Sequence, residues 1–258
     1  MTPVLIRRAR LARLAAGPTA LAFGLGALAV AQGPGRFTTY AGRSGLAATL
    51  TVAAGLGLTV AGLVTGFGRR AGRIGDLAVL AGLAWFAPLW VGWDKGPPLV
   101  RSLGMLAAGF TFPLLLQLAL AYPSGRLQGA AARTLVLAIY LEAVLVAFGR
   151  ALVRDPFFDP DCWANCTDNV FLLRSLPGLA HAIEAADRWF TVLAAAALVT
   201  LCARRLLRDS GPARRALLPV AVPAILLAAA AVAHAVALQR RPLEDPSDLA
   251  FRAIFVTG

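Results

Sequence analysis

Long runs of apolar residues alternate with short basic segments along this chain of 258 residues. Seven of these runs approach the ~20 residues that an α-helix needs to cross a hydrocarbon layer of ~30 Å. Each run therefore predicts a transmembrane helix, and the fold class predicted is an all-α, polytopic transmembrane helical bundle. The seven predicted crossings cover residues 15–32, 44–68, 74–93, 99–121, 134–148, 189–203 and 216–238.

The last ten residues, LAFRAIFVTG, form another apolar stretch. They look like the start of an eighth crossing, but they are far fewer than the ~20 residues that a full crossing needs. We therefore expect seven crossings plus a truncated eighth, and we expect the chain to be a fragment of a longer protein.

Composition supports a membrane protein and excludes other classes. The chain is 59% hydrophobic and only 15% charged, and its mean hydropathy is +0.71, which is outside the usual range of soluble domains. Its formal net charge of +12 comes almost entirely from arginine, since Lys95 is the single lysine. These charges lie between apolar runs and do not form a stripe with interleaved aromatic residues, so the sequence does not indicate nucleic-acid binding.

The basic segments predict how the chain is oriented in the membrane. Cytoplasmic segments of membrane proteins are enriched in Lys and Arg. The tail at 1–14 carries four arginines before the first apolar run, so we expect a cytoplasmic N-terminus. A signal peptide is the competing interpretation, because Ala29-Val30-Ala31 resembles a cleavage site. In both cases the residues that follow lie outside the cytoplasm.

Two features within the predicted crossings concern helix packing. Gly62 and Gly66 form a G-x-x-x-G motif, which allows two helices to approach closely. Such spacing is common in a glycine-rich chain, so we interpret it as packing within the bundle. Pro113 lies inside the fourth run, where the missing backbone N–H predicts a kink in the helix.

The polar segment 150–188 is the one long loop that the pattern predicts, and it should lie outside the cytoplasm. It contains Cys162 and Cys166. An oxidising exterior favours a disulfide that stiffens the loop, while a metal site and free thiols stay open as alternatives. A metal site is the weaker interpretation, because structural zinc takes four ligands and the nearest histidine, His181, stands alone. We name no metal ligands.

Glu142 and His234 are the candidate intramembrane polar residues of the predicted crossings, whereas Asp76, close to Arg73, is interpreted as a charge at a helix end. A charge in hydrocarbon is costly and usually implies a partner or an aqueous cavity. Glu142 is a candidate proton carrier or a structural carboxyl group, and His234 lies near the predicted outer end of its helix. The chain contains no Walker loop, G-x-S-x-G or H-E-x-x-H motif and no dinucleotide-binding fingerprint, so we assign no catalytic or cofactor-binding residue.

The stretch LLLQLALAYPSGRL at 114–127 resembles a segment of a known family. It is similar to the hydrophobic helix and A-[FY]-P-S-G-R-L turn of the membrane-embedded sensor regions of actinobacterial two-component sensor histidine kinases. Pro123, Ser124, Gly125 and Arg126 carry the match. The family's later features have counterparts in the same order, namely the loop RDPFFDPDCWANC and the stretch LCARRLLRDSGPARRALLPV. The resemblance covers roughly residues 100–238.

This resemblance implies a sensor domain of a bacterial cell-membrane protein that forms homodimers. In such proteins the last membrane helix leads to a cytoplasmic kinase domain, which uses ATP and Mg²⁺ and passes phosphate to a response regulator. This chain lacks that machinery, because neither His181 nor His234 is predicted to face the cytoplasm. We therefore predict a basic cytoplasmic tail at 1–14, a transmembrane sensor domain at 15–258 and a missing kinase domain.

The function expected from the sequence is that of an input module, which relays an envelope or membrane stimulus to that kinase. Two other functions stay open: a small integral membrane transporter that uses Glu142 and His234, and a non-catalytic membrane anchor subunit that binds partners through its basic loops. Nothing in the sequence identifies the stimulus or the cognate regulator.

Overall fold

The computed structural model describes residues 3–33, 40–42, 44–66, 72–93, 95–156 and 169–240, and the side chains of these residues except those of 3–14, 40, 234 and 237–240. Within these ranges the chain is helical and contains no β-strand. The described residues form eight α-helices and two short 3₁₀ helices. The α-helices are α1 (Pro3–Ala31), α2 (Gly45–Gly66), α3 (Gly72–Phe86), α4 (Pro98–Ala108), α5 (Thr111–Ala121), α6 (Ala130–Val153), α7 (Pro177–Arg208) and α8 (Gly211–Arg240), and the 3₁₀ helices are Tyr40–Gly42 and Ala87–Gly92.

Six helical segments of the described chain are long and apolar enough to cross a membrane. They are Gly45–Gly66, Gly72–Gly92, Pro98–Ala121, Ala130–Val153, Pro177–Arg208 and Gly211–Ala233. The apolar part of α1 with described side chains, Ala15–Ala31, is shorter. The protein is thus an all-helical bundle with the character of a multi-pass membrane protein, and the count of seven crossings stays a prediction.

The helices on either side of the predicted loop 150–188 are longer than their apolar runs. Helix α6 continues to Val153, and α7 begins at Pro177, twelve residues before the predicted start of that crossing at 189. Proline is favourable at a first helical position, because its fixed φ suits the helix and its missing N–H would have no partner there. Both ends of the predicted loop 150–188 are therefore helical.

Helices α2 and α3 pack closely through glycines. A β-carbon on Gly62 would lie 2.6 Å from the carbonyl oxygen of Gly75, and one on Gly75 would lie 2.5 Å from the carbonyl oxygen of Gly62. Both distances are far below van der Waals contact. The predicted packing role of Gly62 is confirmed, and within this chain its partner is α3.

Helices α4 and α5 together form one crossing that is broken in the middle. The break lies at Gly109 and Phe110, four and three residues before Pro113. Pro113 has no N–H to donate to the carbonyl of Gly109, so the helical hydrogen bond is lost there. The predicted irregularity exists, and it is a helix break that lies one turn before the proline. The Oγ1 atom of Thr111 donates to the carbonyl of Ala84 at 3.0 Å, which holds the new helix start against α3.

The broken crossing lies between two groups of helices. Helix α5 contacts α3 on one side and α6, α7 and α8 on the other, while α4 contacts α3 and α6. The buried core of the second group is built mainly from alanine and leucine of α5 to α8, with Leu116, Leu120, Ile139 and Leu198 at its centre. The helix break is therefore near the middle of the bundle, where all these helices meet.

Candidate functional site

A cavity whose mostly apolar lining includes two carboxyl groups lies beside the break between α4 and α5. Its volume is about 260 Å³. Irregular backbone at membrane depth is tolerated where it is covered by protein or lines a cavity, and here it does the latter. The lining residues are Trp85, Ala108, Gly109, Thr111, Phe112, Pro113, Leu115, Ile139, Glu142, Asp187, Thr191 and Leu227.

Glu142 and Asp187 are the two ionisable residues of this lining. Glu142 lies in the middle of α6 and Asp187 lies in the third turn of α7. Their carboxyl groups interact directly. The Oε1 atom of Glu142 is buried and accepts no hydrogen bond from any residue that the structure describes.

Two carboxylates at this depth are an unfavourable pair unless a positive charge joins them. Like charges about 4 Å apart repel by about 4 kcal/mol at an effective dielectric constant of about 20. A hydrogen bond between two carboxyl groups requires that one of them carries a proton, because an ionised carboxylate can only accept. The lining supplies no basic side chain. The pair can therefore be neutralised by a proton but not by a basic side chain of the lining.

A set of paired charges lies one turn above Asp187, toward the start of α7. Glu184 accepts from Arg150 Nη2 at 3.1 Å, and Arg154 Nη1 is 3.8 Å from the same carboxylate oxygen, Oε1. His181 Nδ1 lies 4.0 Å from the other oxygen, Oε2. Since Glu184 and Asp187 are three residues apart, they share a face of α7. This face carries a neutralised carboxylate at its outer turn and the Glu142–Asp187 pair beneath it.

The described end of the predicted loop is held against the last turn of α6 by Asn169. This buried side chain donates from Nδ2 to the carbonyl oxygens of Ala151 at 2.8 Å and Arg154 at 3.0 Å. Its Oδ1 accepts from the backbone N–H of Phe171 at 3.1 Å. The backbone of Leu173 also donates to Leu152 at 3.0 Å. We call residues 169–176 the outer strap, since they bind the α6 end just before α7 begins.

Cys162 and Cys166 lie outside the described residues, so the predicted disulfide stays a prediction. Cys202, in contrast, is buried within the bundle as a free thiol. Within the described residues no group of three or more His, Cys, Asp or Glu side chains is arranged to hold a metal ion.

The turn that carries the family resemblance lies at the opposite end of the bundle, between α5 and α6. Gly125 adopts a φ of +73°, a conformation that favours glycine, and its N–H donates to the carbonyl of Ala121 at 2.8 Å. Ser124 Oγ accepts from the backbone N–H of Arg126 at 3.3 Å. The residues Pro123, Ser124, Gly125 and Arg126 thus form a compact turn that ends α5.

This turn lies beside two other helices. A β-carbon on Gly125 would lie 3.7 Å from Ile74 and 3.8 Å from Arg73 at the start of α3. From α7, Arg205 Nη1 donates to the carbonyl of Leu120 at 2.7 Å, in the last turn of α5. The segments 114–127 and 201–220, which carry the resemblance, are therefore joined by a hydrogen bond.

The other predicted site residues are distributed as follows. Glu142 lines the cavity. The backbone of His234 is part of α8, but its side chain lies outside the described residues.

The sequence pattern did not identify Asp187 as a site residue, because Asp187 lies two residues before the apolar run that was predicted to form the crossing. The Asp187-Arg188 pair at the edge of that run was the available signal.

No protein-family model, curated protein or solved structure matches this chain.

Proposed function

We propose that this chain is the membrane input module of a two-component sensor histidine kinase. One observation carries the proposal: several sequence segments resemble that family in the same order along the chain. The hydrogen bond from Arg205 to Leu120 supports it, because it joins two of those segments in space. A motif whose parts are distant in sequence and adjacent in structure is more specific than either part alone.

The proposal assigns a place and partners to the chain. The protein lies in the bacterial cell membrane with its N-terminus in the cytoplasm, and it acts as a homodimer. Its kinase domain, with ATP and Mg²⁺, lies outside this chain and phosphorylates a response regulator. The arginines at the end of α7 and at the start of α8 support this orientation, since basic residues favour the cytoplasmic side.

We further propose that the stimulus acts on helix packing around the broken crossing. Helices α5, α6 and α7 meet at a cavity there, so a small shift of one helix changes the separation of Glu142 and Asp187. A stimulus that favours one of two packing arrangements shifts the population between them. The hydrogen bond from Arg205 to Leu120 connects such a shift to the end of the bundle proposed to face the kinase.

The test uses the product of the complete reading frame that contains this chain, in membrane vesicles supplied with ATP. A sensor kinase forms phosphohistidine, and Glu142→Gln changes its amount. Leu141→Ala is the matched control, because Leu141 is the neighbouring residue and its side chain is 57% exposed on the surface of the bundle. Absence of phosphohistidine in the wild-type product would refute the proposal.

A transporter is the second candidate, and the cavity favours it. Transporters place their sites near the bilayer midplane at discontinuous helices, and here a carboxyl pair lies beside such a break. In liposomes a proton-coupled transporter would give substrate-dependent flux that Glu142→Gln abolishes. The sensor proposal predicts no flux from the wild-type protein or from the Glu142→Gln variant.

A further inference from the structure

One end of the bundle is rich in exposed arginine. It is the end where α2 meets α3, α5 meets α6 and α7 meets α8, and we call it the arginine end. Among the described residues, seven arginines there have exposed side chains: Arg73, Arg126, Arg133, Arg204, Arg208, Arg214 and Arg215.

These arginines carry charge that the described protein does not neutralise. The acidic residues described at this end are Asp76 and Asp209. No ion pair joins any of the seven arginines to an acidic residue within the described ranges. The opposite end differs, because Arg150 and Arg154 both lie within 4 Å of Glu184 there. The arginine end therefore presents a concentrated positive field.

Exposed leucines beside these arginines indicate how deep the arginine end lies in the membrane. Leu207 is 79% exposed beside Arg208, Leu137 is 70% exposed one turn after Arg133, and Leu218 is 39% exposed one turn after Arg214. Large apolar side chains on the outside of a membrane bundle face lipid tails, and neighbouring arginines extend their charged groups to the interface. The guanidinium groups are thus placed at the depth of lipid headgroups.

We propose that the arginine end binds the phosphate groups of anionic phospholipids. A guanidinium group presents its N–H donors in a planar fork that matches two oxygens of a phosphate, so arginine binds phosphate with more geometric specificity than lysine. Acidic soluble proteins would also be attracted by this charge. The alternation of arginine with lipid-facing leucine on α6, α7 and α8 favours a lipid.

The experiment compares two double variants of the full chain in nanodiscs that contain mostly phosphatidylcholine and a minority of phosphatidylglycerol. Arg208→Gln with Arg215→Gln removes two charges at the arginine end. Lys95→Gln with Arg174→Gln removes two charges from exposed residues at the opposite end. Native mass spectrometry then measures the ratio of the two lipids that stay bound after extraction.

We expect the wild-type chain and the Lys95/Arg174 variant to retain phosphatidylglycerol preferentially. In the Arg208/Arg215 variant, the ratio of bound phosphatidylglycerol to bound phosphatidylcholine should fall about fivefold for each arginine removed. Raising the salt concentration should weaken the wild-type preference, because screening reduces exposed electrostatic attraction. Equal retention of both lipids by the wild-type chain would overturn the proposal, as would equal losses in the two variants. Binding of an acidic soluble protein without a lipid preference would overturn it as well.

Discussion

Arg205 on α7 donates a hydrogen bond from Nη1 to the carbonyl oxygen of Leu120, 2.7 Å away in the last turn of α5. The last four carbonyls of a helix have no partner within the helix, and basic side chains stabilise them. The two residues are 85 positions apart in sequence. This contact therefore fixes where α7 crosses the end of the broken crossing, next to the turn formed by residues 122–126.

Replacing Arg205 with glutamine should destabilise the bundle. The shorter neutral side chain loses a charge-assisted hydrogen bond, which contributes about 1.5–3 kcal/mol. Thermal unfolding of the purified protein in detergent measures the change. The neighbouring Arg204 is exposed, so Arg204→Gln is the matched control and should have little effect. Equal shifts for the two variants would show that the contact is unimportant.

The glycines between α2 and α3 give a second comparison within one fold. Gly75→Ala should destabilise the protein by about 1–3 kcal/mol, because the added methyl group overlaps the backbone of α2. Gly57 is also in α2, but a β-carbon there meets no atom within 4 Å. Gly57→Ala should leave the thermal unfolding temperature unchanged or raise it, since alanine favours a helix over glycine. A larger loss with Gly57→Ala would contradict the observed packing.

The carboxyl groups at the cavity and at the outer turn of α7 should respond in opposite directions to the same chemical change. Glutamine at position 142 can still donate a hydrogen bond to Asp187 but cannot place a second negative charge beside it, so Glu142→Gln should be at least as stable as the wild-type protein. Glu184→Gln breaks ion pairs with Arg150 and Arg154 and should lower stability. Unfolding temperatures of both variants in neutral buffer test both signs. A loss of stability on Glu142→Gln would refute the interpretation of the pair.

Asn169 should control the attachment of the outer strap. Asn169→Ala leaves the carbonyls of Ala151 and Arg154 without their amide donor, at a cost of about 1–3 kcal/mol. We expect faster proteolysis near residues 169–176. Leu173→Ala is the control within the same segment, because its side chain is 80% exposed. Protease resistance that Asn169→Ala leaves intact would mean that the strap is held by other contacts.

The sequence predicted where the helices lie along the chain better than it predicted which helices contact each other. Each of the six membrane-length segments overlaps an apolar run, because backbone and side chains must both suit the hydrocarbon layer. Hydropathy did not place Asp187 in a helix, since the outer turns of α7 extend beyond the apolar stretch and tolerate charge. It placed the irregularity at Pro113, whereas the lost hydrogen bond breaks the helix at Gly109 and Phe110.

Sequence patterns could not predict the two contacts that define the candidate sites. Glu142 and Asp187 belong to different helices, as do Arg205 and Leu120, and periodicity within one helix contains no information on which neighbour it meets. The G-x-x-x-G spacing at Gly62 predicted close packing but not the identity of α3 as the partner. Tertiary contacts of this kind depend on helix crossing geometry, which the apolar pattern does not specify.

The most direct test of the proposed function is to read the coding sequence downstream of codon 258 in the gene. An input module of a sensor histidine kinase predicts an uninterrupted frame that completes another membrane helix and continues into a phosphoacceptor histidine and an ATP-binding domain. A stop codon immediately after codon 258, in every isolate sequenced, would contradict the account and favour a transporter that uses Glu142 and Asp187.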